Sequence, residues 1–419
     1  MSLFIPKTMI PYGKQDLNDE DIMAVVEVLK SDYLTQGPKV PEFEQAIADY
    51  CDSTFATATN SATSALHIAC LALGVGEGDT VWTSPISFVA SSNCALYCGA
   101  KIDFVDININ SGNLCIQSLR KKLKQAKNNK TLPKVIIVVH LAGNSCDMEA
   151  IYTLSQAYNV SIIEDASHAI GASYQDTKVG NCQFSDISIF SFHPVKIITS
   201  AEGGIALTNQ VELAEKMQLY RSHGITNDTD KMTENSHGPW YYQQITLGFN
   251  YRMTELQAAL GLSQIKRLDL FINKRNALAR VYDEAFINST LTCLSPNDDT
   301  FSAYHLYIVL LPKNKKNSHA NIITSLRANN IFAHVHYIPI HLQPYYQDLG
   351  FKKGDFPIAE DYYQRAISLP LYPNLSTEEQ QYVIKSLLSV LSESPELSSL
   401  DNSGELDDLD GSVNKNKAS

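Results

Sequence analysis

Long hydrophobic runs are absent from the sequence. No stretch approaches the ~20 uninterrupted apolar residues that a membrane-spanning helix needs. The first part of the chain contains Lys7, Lys14 and several acidic residues, without the apolar segment of a signal peptide. We therefore expect a cytoplasmic protein that does not enter a membrane.

Basic charge is scarce as well. The chain has 33 Lys and Arg residues against 45 Asp and Glu residues, and its net charge of -12 argues against a dedicated nucleic-acid-binding protein. Part of the acidity lies in residues 393–419, which are rich in Ser, Asp and Asn and contain no aromatic side chain. Because such a composition cannot form a packed core, we predict a disordered acidic tail there.

Cysteines are present, but they lack the spacing of a metal site. The eight residues are scattered, and the closest pair, Cys94 and Cys98, lies in an Ala-rich segment without a nearby histidine. We expect neither a disulfide framework nor a bound metal. Buried free thiols in a reducing compartment account for this usage.

The rest of the composition is that of an ordinary globular protein. Hydrophobic residues make up 44% and charged residues 19%, and 419 residues are enough for two or three domains. Helical patterns alternate with apolar runs that predict strands at 55–59, 80–83, 101–105, 135–140, 160–164, 187–192 and 204–207. This alternation predicts an α/β fold with a seven-stranded, mostly parallel sheet and helices on both faces.

A different pattern follows in the C-terminal part. Residues 254–286 resemble one long helical region, either straight or bent, and beyond it we predict strands at 305–311 and 332–337 and helices at 322–329 and 377–391. We interpret these elements as a smaller α+β unit. The predicted organisation is a large domain over 1–262, a small C-terminal domain over 263–392 and the acidic tail over 393–419.

Polar residues follow three of the predicted strands, at the sheet edge where α/β proteins bind ligands. After the first strand, Asn60-Ser61-Ala62-Thr63-Ser64 begins a helix. A helix N-terminus offers free N–H groups to a phosphate. An ordinary Ser/Thr helix cap is the alternative, and from this segment alone it is favoured.

The other two strands are followed by an acid and a lysine. Asp165 directly follows an apolar strand, and burial of its carboxylate is costly unless a cation pairs with it; a helix cap is the alternative. Lys196 follows the strand at 187–192 in an apolar, Gly-rich neighbourhood, where desolvation would make it a Schiff-base nucleophile; a surface loop is the alternative. Together, a phosphate cradle, a carboxylate and this lysine are what pyridoxal 5′-phosphate (PLP) requires.

The motifs around these residues also resemble a known family. Ser191-Phe192-His193-Pro194-Val195-Lys196, followed by Glu202-Gly203-Gly204, is similar to the lysine motif of the DegT/DnrJ/EryC1/StrS sugar aminotransferases. The resemblance extends from Pro11-Tyr12-Gly13 to His336-Tyr337-Ile338-Pro339 and so covers nearly the whole chain. It implies PLP as the cofactor, the PLP-dependent transferase fold type I, and a homodimer with shared active sites.

Within this family the chain looks most like the PseC type. The supporting segments are residues 60–66, 85–90, 221–224, 238–242 and 247–253. Members of this type transfer an amino group, with L-glutamate as the donor, to C4 of UDP-2-acetamido-2,6-dideoxy-β-L-arabino-hexos-4-ulose. The product is UDP-4-amino-4,6-dideoxy-N-acetyl-β-L-altrosamine, on the route to pseudaminic acid.

Three alternatives stay open, because relatives acting on other sugars share most of these motifs. The first keeps the transamination but uses the D-xylo epimer of the UDP-4-keto sugar, or a dTDP- or GDP-linked 4-keto sugar. The second is a dehydratase, but dehydratases of this family lack the lysine, so Lys196 argues against it. The third is a non-catalytic PLP-binding sensor, which would not need Lys196, Asp165 and Ser191 together.

The resemblance also implies roles for the cofactor-binding residues. Lys196 would hold PLP covalently and then move a proton as general base and acid, while Asp165 would keep the pyridine nitrogen protonated. Phe88 would stack on the ring, unless it is a core aromatic, and His168 would lie near the ring oxygen. The phosphate would be bound by the backbone amides of Ala62 and Thr63, the Ser191 hydroxyl and Asn250 of the partner subunit.

For the nucleotide sugar, the resemblance points to several separate segments. Tyr12 and Tyr337 offer both a stacking surface and a hydroxyl. The full expected set is Tyr12, Asp32, Tyr33, Leu34, Thr35, Ala62, Ser191, Asn250, His334, Val335, His336 and Tyr337. The stretch 227–244 would form a mobile loop over the partner's site; alternatively, Trp240 in this stretch would anchor the dimer interface.

Overall fold

The structure is a computed structural model that describes residue 6 and residues 8–393. Apart from its first residue, the predicted acidic tail at 393–419 lies outside the described residues. The α-helices are α1 (Asp19–Leu29), α2 (Lys39–Cys51), α3 (Ala62–Ala72), α4 (Ala90–Tyr97), α5 (Ile116–Asn129), α6 (Met148–Tyr158), α7 (Val211–Arg221), α8 (Glu255–Ile265), α9 (Leu268–Phe286), α10 (His319–Ala328), α11 (Pro344–Asp348), α12 (Pro357–Tyr363) and α13 (Thr377–Glu393).

The strands are more numerous and mostly short. They are β1 (Phe55–Thr59), β2 (Thr80–Thr83), β3 (Lys101–Phe104), β4 (Val135–Val139), β5 (Ser161–Asp165), β6 (Ser173–Tyr174), β7 (Thr177–Lys178), β8 (Ile187–Ser191), β9 (Gly204–Thr208), β10 (Ile225–Thr226), β11 (Gln243–Gln244), β12 (Thr292–Cys293), β13 (Thr300–Phe301), β14 (Tyr307–Leu310) and β15 (Ala366–Leu369).

Seven of these strands form one large sheet in the order β1-β9-β8-β5-β4-β2-β3. The neighbours from β8 to β3 pair in parallel, whereas β9 runs antiparallel to both β1 and β8. Six strands therefore run in one direction and β9 alone is reversed. The predicted α/β fold with a seven-stranded, mostly parallel sheet is confirmed.

Both faces of this sheet are buried, which β4 illustrates. All five of its residues are buried. Ile137 belongs to the same apolar cluster as Ala69 of α3, whereas Ile136 belongs to a second cluster with Leu119 of α5. Because successive side chains of a strand point to opposite faces, helices cover the sheet on both sides.

A smaller antiparallel sheet lies in the C-terminal part, where β14 pairs with β12 and β15. The second half of α9 contributes Tyr282 and Phe286 to its apolar cluster. The first half of α9 instead contributes Phe271 and Ile272 to a cluster on the large sheet, so this helix packs in both cores. The predicted boundary after residue 262 falls inside α8, and the division into domains stays a prediction.

The large-sheet strands lie where the sequence predicts them. β1 and β2 have the predicted bounds, and the other five differ by one residue at one or both ends. This agreement has a physical cause: strands buried on both faces are continuous apolar runs, which stand out from the amphipathic helices between them.

One expectation for the C-terminal part is wrong, and a second is refined. Residues 332–337 are not a strand, because the segment makes one isolated bridge, His334 to Ser368, while Ile331 just before it bridges Ile10 in a different part of the chain. The helical region at 254–286 forms two helices, α8 and α9. Between them, Arg267 forms ion pairs with Asp16 (2.8 Å) and Asp21 (2.5 Å) of the N-terminal segment.

The part of the chain that the structure describes contains no helix long and apolar enough to cross a membrane. All eight cysteines are free thiols. Within the same residues, no group of three or more His, Cys, Asp or Glu side chains is arranged to hold a metal ion.

Candidate active site

The N-terminus of α3 forms the first part of the site. Ser61 caps this helix by accepting a hydrogen bond from the Ser64 amide at 3.1 Å. Ala62 and Thr63 are the first residues of the helix, so their amides have no acceptor within it, and no other described residue supplies one. Two free donors at the positive end of a helix suit a phosphate.

Gly204 lies against this helix end. In β9 it pairs with Thr59 of β1 on one side and with Ser191 of β8 on the other. A Cβ atom at Gly204 would lie 2.3 Å from the Ala62 nitrogen, so only glycine lets β9 approach the helix this closely. The register thus places the Ser191 hydroxyl at the same edge of the sheet as the free amides.

Asp165 is the buried last residue of β5. Its Oδ2 accepts a hydrogen bond from the Ser91 hydroxyl at 2.5 Å, and its Oδ1 accepts one from the Ser167 amide at 3.2 Å. The Ser91 hydroxyl is in turn 2.6 Å from the Ser87 hydroxyl. Turns, not a helix, follow Asp165, so the interpretation of this residue as a helix cap is wrong.

Lys196 lies in the irregular segment after β8, where its backbone amide donates to the His193 carbonyl at 2.9 Å. Burial lowers the pKa of its amine to about 8, while the negative charge of Asp165 acts in the opposite direction. The residue is half-buried as a whole and its amine is desolvated, which does not fit the surface-loop alternative. With this pKa, a sizeable neutral fraction exists near pH 7, as a nucleophilic lysine requires.

Three buried histidines lie close enough to this lysine for its charge to act on them. Burial lowers the pKa of His168, His305 and His336, and nearby positive charge, including that of Lys196, lowers it further. The pKa of His336 falls to about 3. The rings of His168 and His305 lie 4.4 Å apart. All three rings are therefore neutral near pH 7, so no imidazolium competes with Lys196 for the negative charge of Asp165.

His168 and Tyr337 form a hydrogen bond with a defined direction. The Ala142 amide donates to Nδ1 of His168 at 3.3 Å, so the proton of the neutral ring lies on Nε2. Nε2 then donates to Oη of Tyr337, 3.1 Å away. Burial raises the pKa of Tyr337, so the phenol keeps its proton. Both nitrogens of His168 are engaged, and Tyr337 presents the free donor.

Phe88 lies at the mouth of the site. It is 60% exposed, so the interpretation of this residue as a core aromatic is wrong. Its ring centroid is 6.4 Å from that of Tyr337, and both residues line one cleft. An exposed aromatic ring at a cleft edge is suited to stack on a planar ligand.

Apart from Ala62, Ser191 and Asn250, the predicted substrate residues fall into two groups. Tyr12 packs on His334 and His336 with ring centroids 5.5 and 5.0 Å apart. Its neighbour Gly13 faces Val195, with its Cβ position 3.8 Å from the Val195 side chain, so this group lies beside the lysine. The second group is exposed and contacts the start of α8; among the described residues, no contact joins it to Lys196. It consists of Asp32, Tyr33, Leu34 and Thr35.

Asn250 and Trp240 are both exposed. The Asn250 carbonyl accepts a hydrogen bond from Asn60 at 3.5 Å, next to the start of α3. Trp240 is 74% exposed and lines a cleft of about 390 Å³ together with Arg252. Their roles across a subunit interface stay predictions.

Sequence reasoning missed three features of the site. No sequence pattern marks Ser91, which is one of three serines in the mixed segment at 87–92. Gly204 was visible only as a member of the lysine motif. The contact between His168 and Tyr337 joins residues 169 positions apart, so no local pattern could have predicted it.

The arrangement fits PLP. The free amides of Ala62 and Thr63 and the Ser191 hydroxyl match a phosphate, and Lys196 supplies an amine with a lowered pKa. Asp165 offers a carboxylate held by two donors. In addition, Nδ1 of His305 is buried without a hydrogen-bond partner in the described part of the chain, which is a cost unless a ligand or solvent reaches it.

Comparison with known proteins agrees with this geometry. Residues 15–388 match the model of the DegT/DnrJ/EryC1/StrS aminotransferase family. A Campylobacter jejuni (strain 81-176) protein named UDP-4-amino-4,6-dideoxy-N-acetyl-beta-L-altrosamine transaminase is 38% identical over 386 residues, which are 91% of this chain and 98% of that protein.

Solved structures are similar over the same length. Helicobacter pylori PseC, an aminotransferase involved in the biosynthesis of pseudoaminic acid, has a TM-score of 0.84 at 36% identity, covering 92% of this chain and 100% of that one. Spr1654 from Streptococcus pneumoniae, solved in its PMP form, has a TM-score of 0.84 at 30% identity. The match covers 92% of this chain and 99% of that one. Its PLP form is similar to the same extent, with a TM-score of 0.83.

These similarities confirm fold type I and the PLP cofactor. The family match covers almost all of the described chain, and the structural neighbours include forms with PLP and PMP. The chain is therefore a PLP-dependent aminotransferase that belongs to the DegT/DnrJ/EryC1/StrS family.

Proposed function

We propose that this aminotransferase moves an amino group from L-glutamate to C4 of UDP-2-acetamido-2,6-dideoxy-β-L-arabino-hexos-4-ulose. The product is UDP-4-amino-4,6-dideoxy-N-acetyl-β-L-altrosamine, made in the cytoplasm for pseudaminic acid synthesis. The similarity to the Campylobacter jejuni transaminase supports this choice of substrate. The observation that carries the chemistry is the buried amine of Lys196, with its pKa lowered to about 8, within the electrostatic influence of Asp165.

Lys196 holds the cofactor covalently between turnovers and moves a proton during each half-reaction. When bound, PLP supplies an electron sink for the negative charge left on carbon after proton removal. The freed amine would take the proton from Cα of the amino donor as a general base and pass it to C4′ of the cofactor as a general acid, and the second half-reaction would move a proton from C4′ to C4 of the sugar. A pKa of about 8 suits both directions, because neither protonation state is scarce near neutral pH.

Asp165 accepts the hydrogen bond of the pyridine N–H group and so keeps that nitrogen protonated. Its two protein donors, Ser91 and Ser167, fix the orientation of the carboxylate. Phe88 stacks on the ring face from the cleft side. His168 lies near the ring oxygen, where it also orients the hydroxyl of Tyr337.

Ala62, Thr63 and Ser191 bind the cofactor phosphate within one chain. We propose that Asn250 completes this phosphate site from the partner subunit, so that the enzyme is a homodimer with shared sites. The exposure of Asn250 and of residues 32–35 supports this proposal. The loop at 227–244 then covers the partner's site, with Trp240 at the interface.

The sugar nucleotide enters beside the rings of Tyr12, His334 and His336, which lie next to the segment that carries Lys196. Tyr12 and Tyr337 bring hydroxyls and stacking surface to the sugar. His334, Val335 and His336 continue the wall, and His336 is held by a 2.8 Å hydrogen bond between its Nδ1 and the Ser368 hydroxyl. A wall fixed in this way orients C4 of the sugar toward one face of the cofactor.

The decisive experiment supplies the purified, PLP-loaded protein with L-glutamate and each epimeric UDP-4-keto-6-deoxy-N-acetyl sugar separately, and measures amino-sugar formation. We expect preference for the L-arabino form. Preference for the D-xylo form keeps the mechanism and moves the protein to a different sugar pathway. If neither reacts while glutamate still bleaches the yellow cofactor, the enzyme acts on another nucleotide sugar. If glutamate leaves the colour unchanged, the proposed reaction is wrong.

A further inference from the structure

A cleft of about 550 Å³ opens beside Tyr337, which is within the usual range for a small-molecule site. Its lining comes from the loop that carries Phe88, from α10 and from the segment around Val335. The lining residues include Phe88, Ile323, Arg327, His334, Val335 and Tyr337.

The cleft is apolar near the loop and cationic near α10. No Asp or Glu occurs among its lining residues, all of which belong to the described part of the chain. Burial lowers the pKa of His319, whose Nε2 is 2.8 Å from the Ala366 carbonyl and donates to it. Arg327 is thus the permanent positive charge of the cleft.

The Arg327 guanidinium is held in place by its own surroundings. Its Nε and Nη2 groups both donate to the Ala333 carbonyl, at 3.3 and 3.2 Å. Its planar group stacks over the Phe332 ring at 4.5 Å. Nη1 has no hydrogen-bond partner among the described residues, and no described carboxylate forms an ion pair with Arg327. A pre-positioned guanidinium with a free donor edge is suited to bind an anion.

The position of this charge fits the shape of a nucleotide sugar. The sugar must reach the lysine side of Tyr337, where Tyr12 and His336 lie. Any group attached to the sugar then extends along Val335 toward α10. In a UDP-sugar the next group is the diphosphate, which carries about two negative charges near pH 7 and matches the donor fork of an arginine.

We propose that Arg327 binds the diphosphate of the nucleotide sugar, and that the apolar side chains of Ile323 on α10 and of Val335 receive the nucleoside. This inference rests on the proposed function, because it takes the acceptor to be a nucleotide-linked sugar. Arg327 and α10 lie outside the set of substrate residues predicted from the sequence. The inference extends the site into the C-terminal part of the chain and assigns substrate affinity to α10.

The test uses PLP-loaded full-length protein and the variant Arg327→Met, which keeps the length and the packing on Phe332 but removes the charge. Calorimetry measures the affinities of UDP and of uridine. We expect about tenfold weaker UDP binding in the variant, with uridine binding unchanged. Arg327→Lys keeps the positive charge but loses the planar donor fork. Its affinity for UDP should therefore lie between those of the wild type and Arg327→Met. Arg280→Met, on the exposed side of α9, is the matched control. It should bind UDP and uridine as tightly as the wild type does.

Kinetics separate this role from a structural one. In Arg327→Met, KM for the nucleotide sugar should rise about tenfold while KM for glutamate and the glutamate half-reaction stay unchanged. Equal weakening of UDP and uridine would show that Arg327 only shapes the cleft through Ala333, and would overturn the proposal. A raised KM for glutamate alone would overturn it too, because Arg327 would then bind the donor's carboxylate.

The two proposals fail in different ways. If the wild-type protein aminates a UDP-4-keto sugar but Arg327→Met binds UDP normally, the diphosphate site is wrong and the function stands. If the wild type aminates neither epimer but its UDP affinity depends on Arg327, the diphosphate site is supported and the proposed sugar is wrong.

Discussion

The Ser91 hydroxyl donates a 2.5 Å hydrogen bond to Oδ2 of Asp165, and both groups are buried. An ionised carboxylate only accepts, so Ser91 must be the donor and accepts in turn from Ser87, 2.6 Å away. The chain of three groups therefore has one direction. It fixes the rotation of the carboxylate that we assign to the pyridine nitrogen, and it begins at Ser87 on the wall of the substrate cleft.

We expect Ser91→Ala to weaken PLP binding by about tenfold and to lower kcat by a similar factor, because a buried carboxylate loses one of its two donors. Equilibrium dialysis of the cofactor and steady-state kinetics measure the two effects. Ser92→Ala is the matched control: the Ser92 hydroxyl is buried in the same helix but is 2.5 Å from Oη of Tyr346 instead. Unchanged PLP affinity and kcat in Ser91→Ala would mean that the Ser167 amide alone orients Asp165.

The lowered pKa of Lys196 predicts how cofactor attachment depends on pH. The neutral amine is the nucleophile, and it becomes the major form as pH rises through about 8. We expect the rate of covalent PLP attachment to the apoprotein to rise between pH 7 and 9 with a midpoint near 8. Borohydride reduction followed by mass spectrometry measures the attached fraction. A midpoint above 10 would show that the amine is solvated, contrary to its burial in the structure.

Lys196→Ala should abolish transamination and leave the fold largely intact. The side chain makes no ion pair or hydrogen bond that the described structure records, and its burial as a cation is a cost rather than a source of stability. Circular dichroism and thermal unfolding check the fold, and amino-sugar formation checks turnover. Near wild-type turnover by this variant would contradict the assignment of the catalytic lysine.

Gly204→Ala should disrupt the phosphate end of the site. The added Cβ would lie 2.3 Å from the Ala62 nitrogen and 2.5 Å from its Cα, both backbone atoms that cannot rotate away. We expect at least about tenfold weaker PLP binding and a loss of about 1–3 kcal/mol in unfolding free energy. Gly76→Ala is the control, because its Cβ would meet nothing within 4 Å. Normal PLP affinity in Gly204→Ala would show that the helix N-terminus does not need this close approach.

The chemistry-bearing residues were predictable from the sequence where they follow buried strands. Asp165 and Ser191 are the last residues of such strands and Lys196 comes shortly after one, so the apolar runs locate them. Residues 332–337 were predicted wrongly as a strand, because their apolar and aromatic composition is strand-like but their backbone partners alternate between distant segments. Local patterns carry no information about such long-range pairing.

Contacts between distant segments account for the other misses. Ser91 belongs to a helix in an Ala-rich segment, and its importance appears only because β5 brings Asp165 within 2.5 Å. Arg327 looks like an ordinary basic residue near the end of a helix, where it also suits the helix dipole. Only the fold places it in the same cleft as Phe88.

Arg275 should be a main determinant of stability in the C-terminal part. It is 1% exposed, and its Nη1 donates to the carbonyls of Tyr304, His305 and Leu371 at 3.2, 3.3 and 2.9 Å. Burial lowers its pKa to about 10, so it remains charged near pH 7. Arg275→Met leaves these carbonyls without a donor, and we expect a loss of about 2–4 kcal/mol in unfolding free energy.

Chemical denaturation measures this loss, with Arg280→Met on the exposed side of the same helix as the matched control. The control should change stability by less than about 0.5 kcal/mol. Equal stability of the two variants would contradict the structural role of Arg275. Since its carbonyl partners flank the buried His305, a modest fall in PLP affinity should accompany the loss of stability.

Shared active sites make a prediction that no single variant can test. Lys196→Ala and Asn250→Ala homodimers should each have strongly reduced activity, because every site lacks one group. If Asn250 acts on the partner's cofactor, a mixed dimer contains one site with both changes and one site with neither. Random exchange of equal amounts should then restore about a quarter of wild-type activity, since half of the dimers are mixed and half of their sites are intact.

The outcome depends on the direction of sharing. If Asn250 serves the cofactor of its own chain, the mixed dimer carries one defect in each site and no activity returns on mixing. The exposure of Asn250 in the single chain favours the shared arrangement, in which its side chain is free to reach another subunit. Size-exclusion chromatography of differently tagged subunits confirms the exchange, and mixing each variant with itself provides the baseline against which restored activity is measured.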